Sequence, residues 1–298
     1  MLSDEAHRLN DVDDTVLPTE EEVASYEARG WYRSRHVVPY ALLEEVRTAI
    51  EAHQMGHRDR VLPGKANFSD WKPGDGDGVR NNEFCSLQND TIRQLAVLPA
   101  IGAIAARLAR SPAMRIFDDQ AVHKPPARDS ASTAAVGWHT DHSYWSTCTS
   151  DRMLTAWIPL DDATEEMGTL WVVDGSHLWP ESEHVRGFND PDLSSIEARI
   201  GRKIPASIVS PMTLEKGQVS FHHMRALHGS GPNRAQKPRV ALAVHMQDDA
   251  NHHRPYATAA GVQVVLPHDQ LCRRNEAGLP DYRDPAVFPQ IWPTSDPA

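Results

Sequence analysis

Val136-Gly137-Trp138-His139-Thr140-Asp141-His142 reads as a β-strand. Successive strand residues project to opposite faces, so His139 and Asp141 share a face and aim at one point. An imidazole nitrogen beside a carboxylate oxygen suits a borderline divalent metal and leaves an octahedral ion several open positions. A third ligand is expected much later in the chain, and the best candidate is His228 in Ala226-Leu227-His228-Gly229-Ser230-Gly231-Pro232, where a β-run gives way to a Gly-rich turn. Two distant strands of a closed sheet would bring it to the first pair. The result would be a facial triad of two histidines and one carboxylate, an arrangement that holds Fe(II) and leaves adjacent sites open.

The stretch Arg239-Val240-Ala241-Leu242-Ala243-Val244-His245-Met246-Gln247 alternates cleanly, with Val240, Leu242, Val244 and Met246 on one face and Arg239, Ala241, Ala243, His245 and Gln247 on the other. The first face should pack; the second should line a cavity. Arg239 would then point inward beside small alanines, where a guanidinium without an anionic partner is costly. A dicarboxylate co-substrate resolves that cost, because a planar fork matches a carboxylate with two parallel hydrogen bonds while the other end chelates a metal.

Outward from these motifs the chain divides by texture. The chemistry-bearing stretches lie among short β-like runs: 115–122, 136–142, 153–160, 169–173, 208–214, 218–223 and 239–247, with a spacing that suggests a sandwich or barrel. Before them lies a helical part, 19–112. It opens with the capping box Thr19-x-x-Glu22, which Gly30 can close, continues with Pro39 as the first residue of a second helix, and has two helical pieces within 90–110 broken by Pro99. Residues 58–80 are rich in Gly, Pro and Asp and form a long loop. Residues 1–18 are acidic and aperiodic, a flexible tail by composition, and 251–298 are an irregular, Pro-rich extension. The expected organisation is one domain over 19–298 with its β core at about 113–250.

Composition sets the outer limits. With 30 Lys+Arg against 41 Asp+Glu the formal net charge is −11, which disfavours nucleic acid as a partner. No stretch approaches the roughly 18 consecutive apolar residues of a membrane span, and the N-terminus lacks the basic and apolar regions of a signal peptide, so a cytoplasmic monomer or homodimer acting on a small molecule is expected. Cys85, Cys148 and Cys272 form no CxxC pair and suggest neither a disulfide framework nor a thiolate metal site.

His139-x-Asp141, the segment Gly168-Thr169-Leu170-Trp171-Val172-Val173-Asp174-Gly175-Ser176-His177, and His228-x-Ser230 followed by Arg239 together make the region of about 115–250 resemble the phytanoyl-CoA dioxygenase-like Fe(II)/2-oxoglutarate oxygenases. The resemblance implies a double-stranded β-helix (jelly-roll, cupin-like) core, mainly β with flanking helices. It implies Fe(II) held by His139, Asp141 and His228, and 2-oxoglutarate held at its distal carboxylate by Arg239 and Ser230. Trp157 and Gln120 would line the co-substrate pocket, and Tyr144 and Trp145 the substrate pocket. O2 and 2-oxoglutarate would give succinate and CO2, with hydrogen abstraction from an unactivated carbon. Hydroxylation is the default outcome, with desaturation, cyclisation and epimerisation open. Because the acid Asp141 is kept, halogenation is disfavoured.

Two other classes fit the residues less well. The same triad could serve a redox-neutral hydrolase or isomerase on a cupin-like barrel, which gives no reason for Arg239. A non-catalytic ligand-binding barrel is the third class. Of the neighbouring histidines, His123, His142 and His245 are expected to be hydrogen-bonded or surface groups, His177 a structural corner, and at most one of His222 and His223 to face inward.

Overall fold

A computed structural model describes residues 12–127 and 135–294. The helical part begins as its caps dictate. In α1 (Glu20–Arg29), the Thr19 hydroxyl accepts from Glu22 N at 3.2 Å while Thr19 N donates to Glu22 Oε2 at 2.8 Å. Gly30 closes it in the left-handed conformation, φ +83°. The next helix, α2 (Tyr40–Gln54), starts one residue later than expected, with Pro39 as its N-cap. A short α3 (Cys85–Gln88) is followed by α4 (Asp90–Ala96) and α5 (Pro99–Leu108), with Pro99 at the start of α5. By length and composition the stretch Asp90–Leu108 would suit a membrane span, but here it is broken at Pro99 and Ile92, Leu95, Ile101 and Ile104 are fully buried in the core.

Two antiparallel sheets follow from the β-like runs. The first holds β1 (Trp31–Arg33), β2 (Arg80–Glu83), β3 (Met114–Lys124), β5 (Leu154–Pro159), β8 (Ser220–His223), β10 (Arg239–Asp248) and β11 (Gln290–Trp292), in the order β1-β8-β5-β10-β3-β11, with β2 also on β3. The second is β4 (Val136–His139), β6 (Trp171–Val173), β7 (Val209–Pro211) and β9 (His228–Ser230), in the order β4-β9-β6-β7. This is the jelly-roll architecture expected from the sequence.

The alternation of β10 divides its side chains as expected. Val240, Leu242, Val244 and Met246 join the main core with Leu43, Val46 and Ile50 of α2 and Ile101 and Ile104 of α5. Fully burying each such aliphatic side chain contributes about 1.5–3 kcal/mol, so this layer anchors the larger sheet. On the other face, Ala241 and Ala243 join Trp157, Leu170 and Val172 in a smaller cluster. The small alanines leave room beside Arg239 and His245.

Several expectations need correction. The strand 136–142 ends at His139; Thr140 is still extended, but Asp141–Tyr144 form a 3-10 turn. The C-terminal extension is not simply irregular, since it supplies α7 (Pro267–Leu271) and β11, which pairs with β3. Of the tail 1–18, residues 12–18 are described and are structured: Asp14–Val16 make a turn capped by Asp13, and Leu17 packs against the main core. The rest of the tail, and much of the 124–135 loop, lie outside the described residues.

Gly137 sits where β4 passes under the 187–190 loop, and a Cβ there would run into the carbonyls of Gly187 and Asp190. The obstacle is backbone, which cannot rotate away. Gly137→Ala should therefore lower unfolding stability by about 2 kcal/mol or more, within the range for overpacked sites. Gly74→Ala, where a Cβ meets nothing within 4 Å, should be close to neutral; denaturant unfolding midpoints of the two variants check the contrast.

Candidate metal centre and co-substrate chamber

Antiparallel pairing of β4 with β9 sets His139 directly opposite His228. Side chains so paired start about 4.5–5.5 Å apart at Cβ, which lets two imidazoles share a ligand. Each Nδ1 is tied to the carbonyl two residues back, His139 to Gly137 O at 2.8 Å and His228 to Ala226 O at 2.9 Å. Since a carbonyl can only accept, each Nδ1 carries the proton and each Nε2 presents a lone pair. Both Nε2 atoms face Asp141 Oδ1, at 3.8 Å from His139 and 3.5 Å from His228. The three ligand atoms lie within 4.8 Å of one another, and all three residues are buried.

A hydrogen-bond relay fixes the aspartate. His245 Nδ1 donates to Thr155 Oγ1 at 2.7 Å, and the threonine hydroxyl donates to Asp141 Oδ2 at 2.6 Å. Burial alone would raise the Asp141 carboxyl, but His228, His245 and His222 outweigh it and hold it well below the usual carboxylate range. Burial pushes His139 and His228 downward, so both are neutral donors. An anionic oxygen and two neutral imidazoles, with Oδ2 oriented by the relay and Oδ1 turned to the nitrogens, fit a divalent iron.

A chamber opens beside the triad, and the β10 face predicted to look inward does so. Arg239 is 3% exposed. Its Nη1 donates to Gly168 O at 3.0 Å, and its guanidinium lies over the Trp157 ring at 5.2 Å. Among the described residues its Nε has no partner and no carboxylate pairs with it. Burial lowers it to about 10. Gly168 adopts φ +63°, and a Cβ there would strike the carbonyls of Gly231 and Pro232. A buried cation with an unpaired donor, lining a chamber that also holds the candidate metal ligands, is what a distal carboxylate requires. Gln120, Trp157, Ser230 and Arg239 all line this chamber.

Sequence reasoning missed Lys124, which pairs with Arg239 across β3 and β10 and is fully buried. Its ammonium donates to Ser230 Oγ at 2.5 Å and Gly231 O at 2.6 Å. Burial and the neighbouring Arg239 push Lys124 well below its usual range, but its N–H groups still serve these two oxygens, so a lone pair of Ser230 is taken and the serine proton is free to be donated into the chamber. A lone lysine beyond a strand's alternating core carries no signal in sequence. His222 is the inward member of its pair, with Nε2 3.3 Å from Asp141 Oδ2, while His223 turns to Asp151 O. His177 is a corner residue, with Nε2 3.0 Å from Glu27 O.

A larger cavity of about 520 Å³ adjoins the triad. Tyr144 and Trp145 line it as expected, and so do Phe68 from the long 58–80 loop and Phe188 from the segment between β6 and β7. His268 of α7 joins them without any motif or periodicity around it to mark it.

Comparison with known proteins agrees with this geometry. A family profile described as phytanoyl-CoA dioxygenase (PhyH) matches residues 26–241. A probable alpha-ketoglutarate-dependent hypophosphite dioxygenase of Stutzerimonas stutzeri is 31% identical over 136 residues, 44% of each chain. The peroxisomal phytanoyl-CoA dioxygenase of Rattus norvegicus is 26% identical over 159 residues, 53% of this chain and 46% of the relative. The chain thus matches under half the length of these curated relatives. Among solved structures, the non-heme alpha ketoglutarate dependent epimerase SnoN from nogalamycin biosynthesis, captured with Fe3+, alpha ketoglutarate and nogalamycin RO, superposes with a TM-score of 0.64 at 26% identity, covering 91% of this chain and 98% of that one. The carbocyclase SnoK of the same biosynthesis shares the fold, with a TM-score of 0.62 at 23% identity over 83% of this chain and 94% of that one.

Thr155→Val keeps the shape of the side chain but removes the hydroxyl that orients Asp141. Losing a group that orients a metal ligand costs about 10–100-fold in metal affinity. Competition against a chelator should show Fe(II) binding weakened by that factor, with the folded state retained.

Proposed function

Because the chain belongs to the phytanoyl-CoA dioxygenase family, we propose that it is an Fe(II)/2-oxoglutarate-dependent oxygenase acting on a small-molecule metabolite. The observation that carries this reading is the buried Arg239, paired with no carboxylate among the described residues, lining the same chamber as His139, Asp141 and His228. His139 Nε2, Asp141 Oδ1 and His228 Nε2 would hold the iron. Arg239 would take the distal carboxylate of 2-oxoglutarate, and Ser230, with its lone pair engaged by Lys124, would donate its proton to the same group. Trp157 and Gln120 form the walls along the carbon chain, and Tyr144 and Trp145 border the space for substrate. When bound, iron and 2-oxoglutarate supply O2 activation and hydrogen abstraction, with release of succinate and CO2.

The residues around the triad serve this chemistry by holding positions and protons. The two Nδ1–H groups stay on backbone carbonyls, so neither imidazole can turn its protonated edge to the metal. The Thr155 relay keeps Asp141 ionised with one oxygen free. The adjoining cavity of about 520 Å³ falls in the range of pockets for drug-sized molecules, in keeping with a small or medium-sized substrate. Hydroxylation is the reading for the outcome, since Asp141 occupies the coordination position that a halide would need. The SnoN and SnoK likenesses keep epimerisation and ring closure in view as alternative fates of the same hydrogen abstraction.

A redox-neutral metal enzyme on this barrel would leave the Arg239 cation without a task. The two readings separate in one experiment. Anaerobic Fe(II) protein mixed with 2-oxoglutarate should develop the weak visible charge-transfer band of the chelate, and in air it should release succinate. In Arg239→Ala the 2-oxoglutarate Kd should rise about 100-fold or more, as expected for loss of two charge-assisted hydrogen bonds, while Fe(II) affinity stays within about threefold. No band in the wild type, or equal 2-oxoglutarate affinity in the variant, would overturn the assignment.

A further inference from the structure

The cavity next to the triad has a charge pattern of its own. Glu83 of β2 and Asp118 of β3 both line it, together with His268 of α7. One oxygen of each acid is already used within the protein: Glu83 Oε2 accepts from Ser69 N at 3.1 Å and Asp118 Oδ1 from Asp119 N at 2.7 Å. The others are underused. Glu83 Oε1 has only a long contact of 3.4 Å from the Gln120 amide, and Asp118 Oδ2 lies 3.4 Å from His268 Nε2. His268 is 4% exposed, and among the described residues neither of its ring nitrogens has a hydrogen-bond partner. Its ring stacks on Phe117 with centroids 4.1 Å apart.

From this arrangement we infer that the substrate carries a protonated amine, held between Glu83, Asp118 and His268 while its carbon frame lies against the aromatic rings of the cavity. The inference rests on the oxygenase reading for what then happens to that substrate, but not for the binding itself. An ammonium has three N–H donors and no acceptor. The cavity offers three acceptors in return: a carboxylate oxygen from each acid and a lone pair of a neutral imidazole. Ring faces of Phe68, Tyr144, Trp145 and Phe188 provide the apolar and cation-tolerant wall that such a group and its scaffold favour.

Among the described residues the cavity has one guanidinium, Arg186, and it is engaged elsewhere. Its Nε donates to Ser143 O at 2.7 Å, and its charge lies over the Tyr144 ring at 5.0 Å. Neither acid therefore has a protein cation in the cavity. The electrostatics run the same way. Burial, followed by Asp118, pushes Glu83 up to about 7, and burial, followed by Asp119, raises Asp118 well above the usual range. Burial lowers His268 to about 4, which keeps it neutral and able to accept. A bound ammonium relieves the mutual opposition of the two acids.

Three probes of one shape and different charge test this: benzylamine, benzyl alcohol and benzoate. Ligand-observed NMR on the full-length protein loaded with Fe(II) and 2-oxoglutarate under anaerobic conditions reports their binding. The visible band of the chelate reports the metal centre separately, so failure of the oxygenase reading (no band) is distinct from failure of the amine reading (no preference). Benzylamine should bind about tenfold or more tightly than either neutral or anionic probe, the scale of one charge-assisted hydrogen bond in a buried site. The preference should collapse in Glu83→Gln and in Asp118→Asn, and Glu83→Gln alone decides should the more buried variant fail to fold. Absence of benzylamine binding, equal or tighter binding of benzyl alcohol or benzoate, or a preference that survives Glu83→Gln would overturn the inference.

Discussion

The pairing of His139 with His228 across β4 and β9 is the constraint on which the rest of the molecule depends. A one-residue slip in that register would send one imidazole to the opposite face of the smaller sheet and abolish the ligand set. The fold protects the register from both sides. The 187–190 loop closes over Gly137 so tightly that no side chain fits, and the hydrogen bonds from each Nδ1 to its own backbone turn both rings to the same point. The larger sheet then contributes what the smaller one lacks: the Thr155 relay to Asp141, and the cationic end of the chamber at Arg239.

Charge distribution in the interior follows from this division. The triad end holds one anion among neutral imidazoles and calls for a divalent cation. The far end holds the Arg239 guanidinium, paired across β3 and β10 with Lys124, which burial and Arg239 itself push well below its usual range; with no carboxylate between them among the described residues, that end calls for an anion. Among the described residues Lys124 finds three oxygen acceptors, two of them backbone carbonyls, but Arg239 finds only Gly168 O. Buried ions left in that state are destabilising by several kcal/mol unless a ligand completes them. The interior is thus built for occupancy by a metal and a dicarboxylate together, and each should strengthen the other's binding. The neighbouring cavity extends the same logic with two acids that lack a cation.

Much of this was legible in the sequence because it depends on local periodicity. Alternation in 239–247 announced which side chains face the chamber, the capping box at Thr19 and Gly30 announced α1, and Pro99 announced the break between α4 and α5. The family motifs placed the triad. What escaped was set by tertiary contact. Asp141 leaves the strand for a 3-10 turn, and His139 and Asp141 still converge only because Thr140 remains extended between them. Lys124 differs from a surface lysine solely in what lies around it. The short β11 and α7 come from a Pro-rich extension without periodicity, and α7 carries His268 into the cavity from a region that reads as irregular. Phe84, with φ 54° at the head of α3, is a left-handed residue that no propensity favours, and it is held there by packing against Phe68 and His268.

A crystal structure of the protein with Fe(II) and 2-oxoglutarate, the metal located by its anomalous signal, is the most direct measurement. The account predicts one iron bonded to His139 Nε2, Asp141 and His228 Nε2, with the distal carboxylate of 2-oxoglutarate on the Arg239 guanidinium and the Ser230 hydroxyl. Iron ligated instead through His222 or His245, or a co-substrate whose distal carboxylate lies away from Arg239, would contradict it.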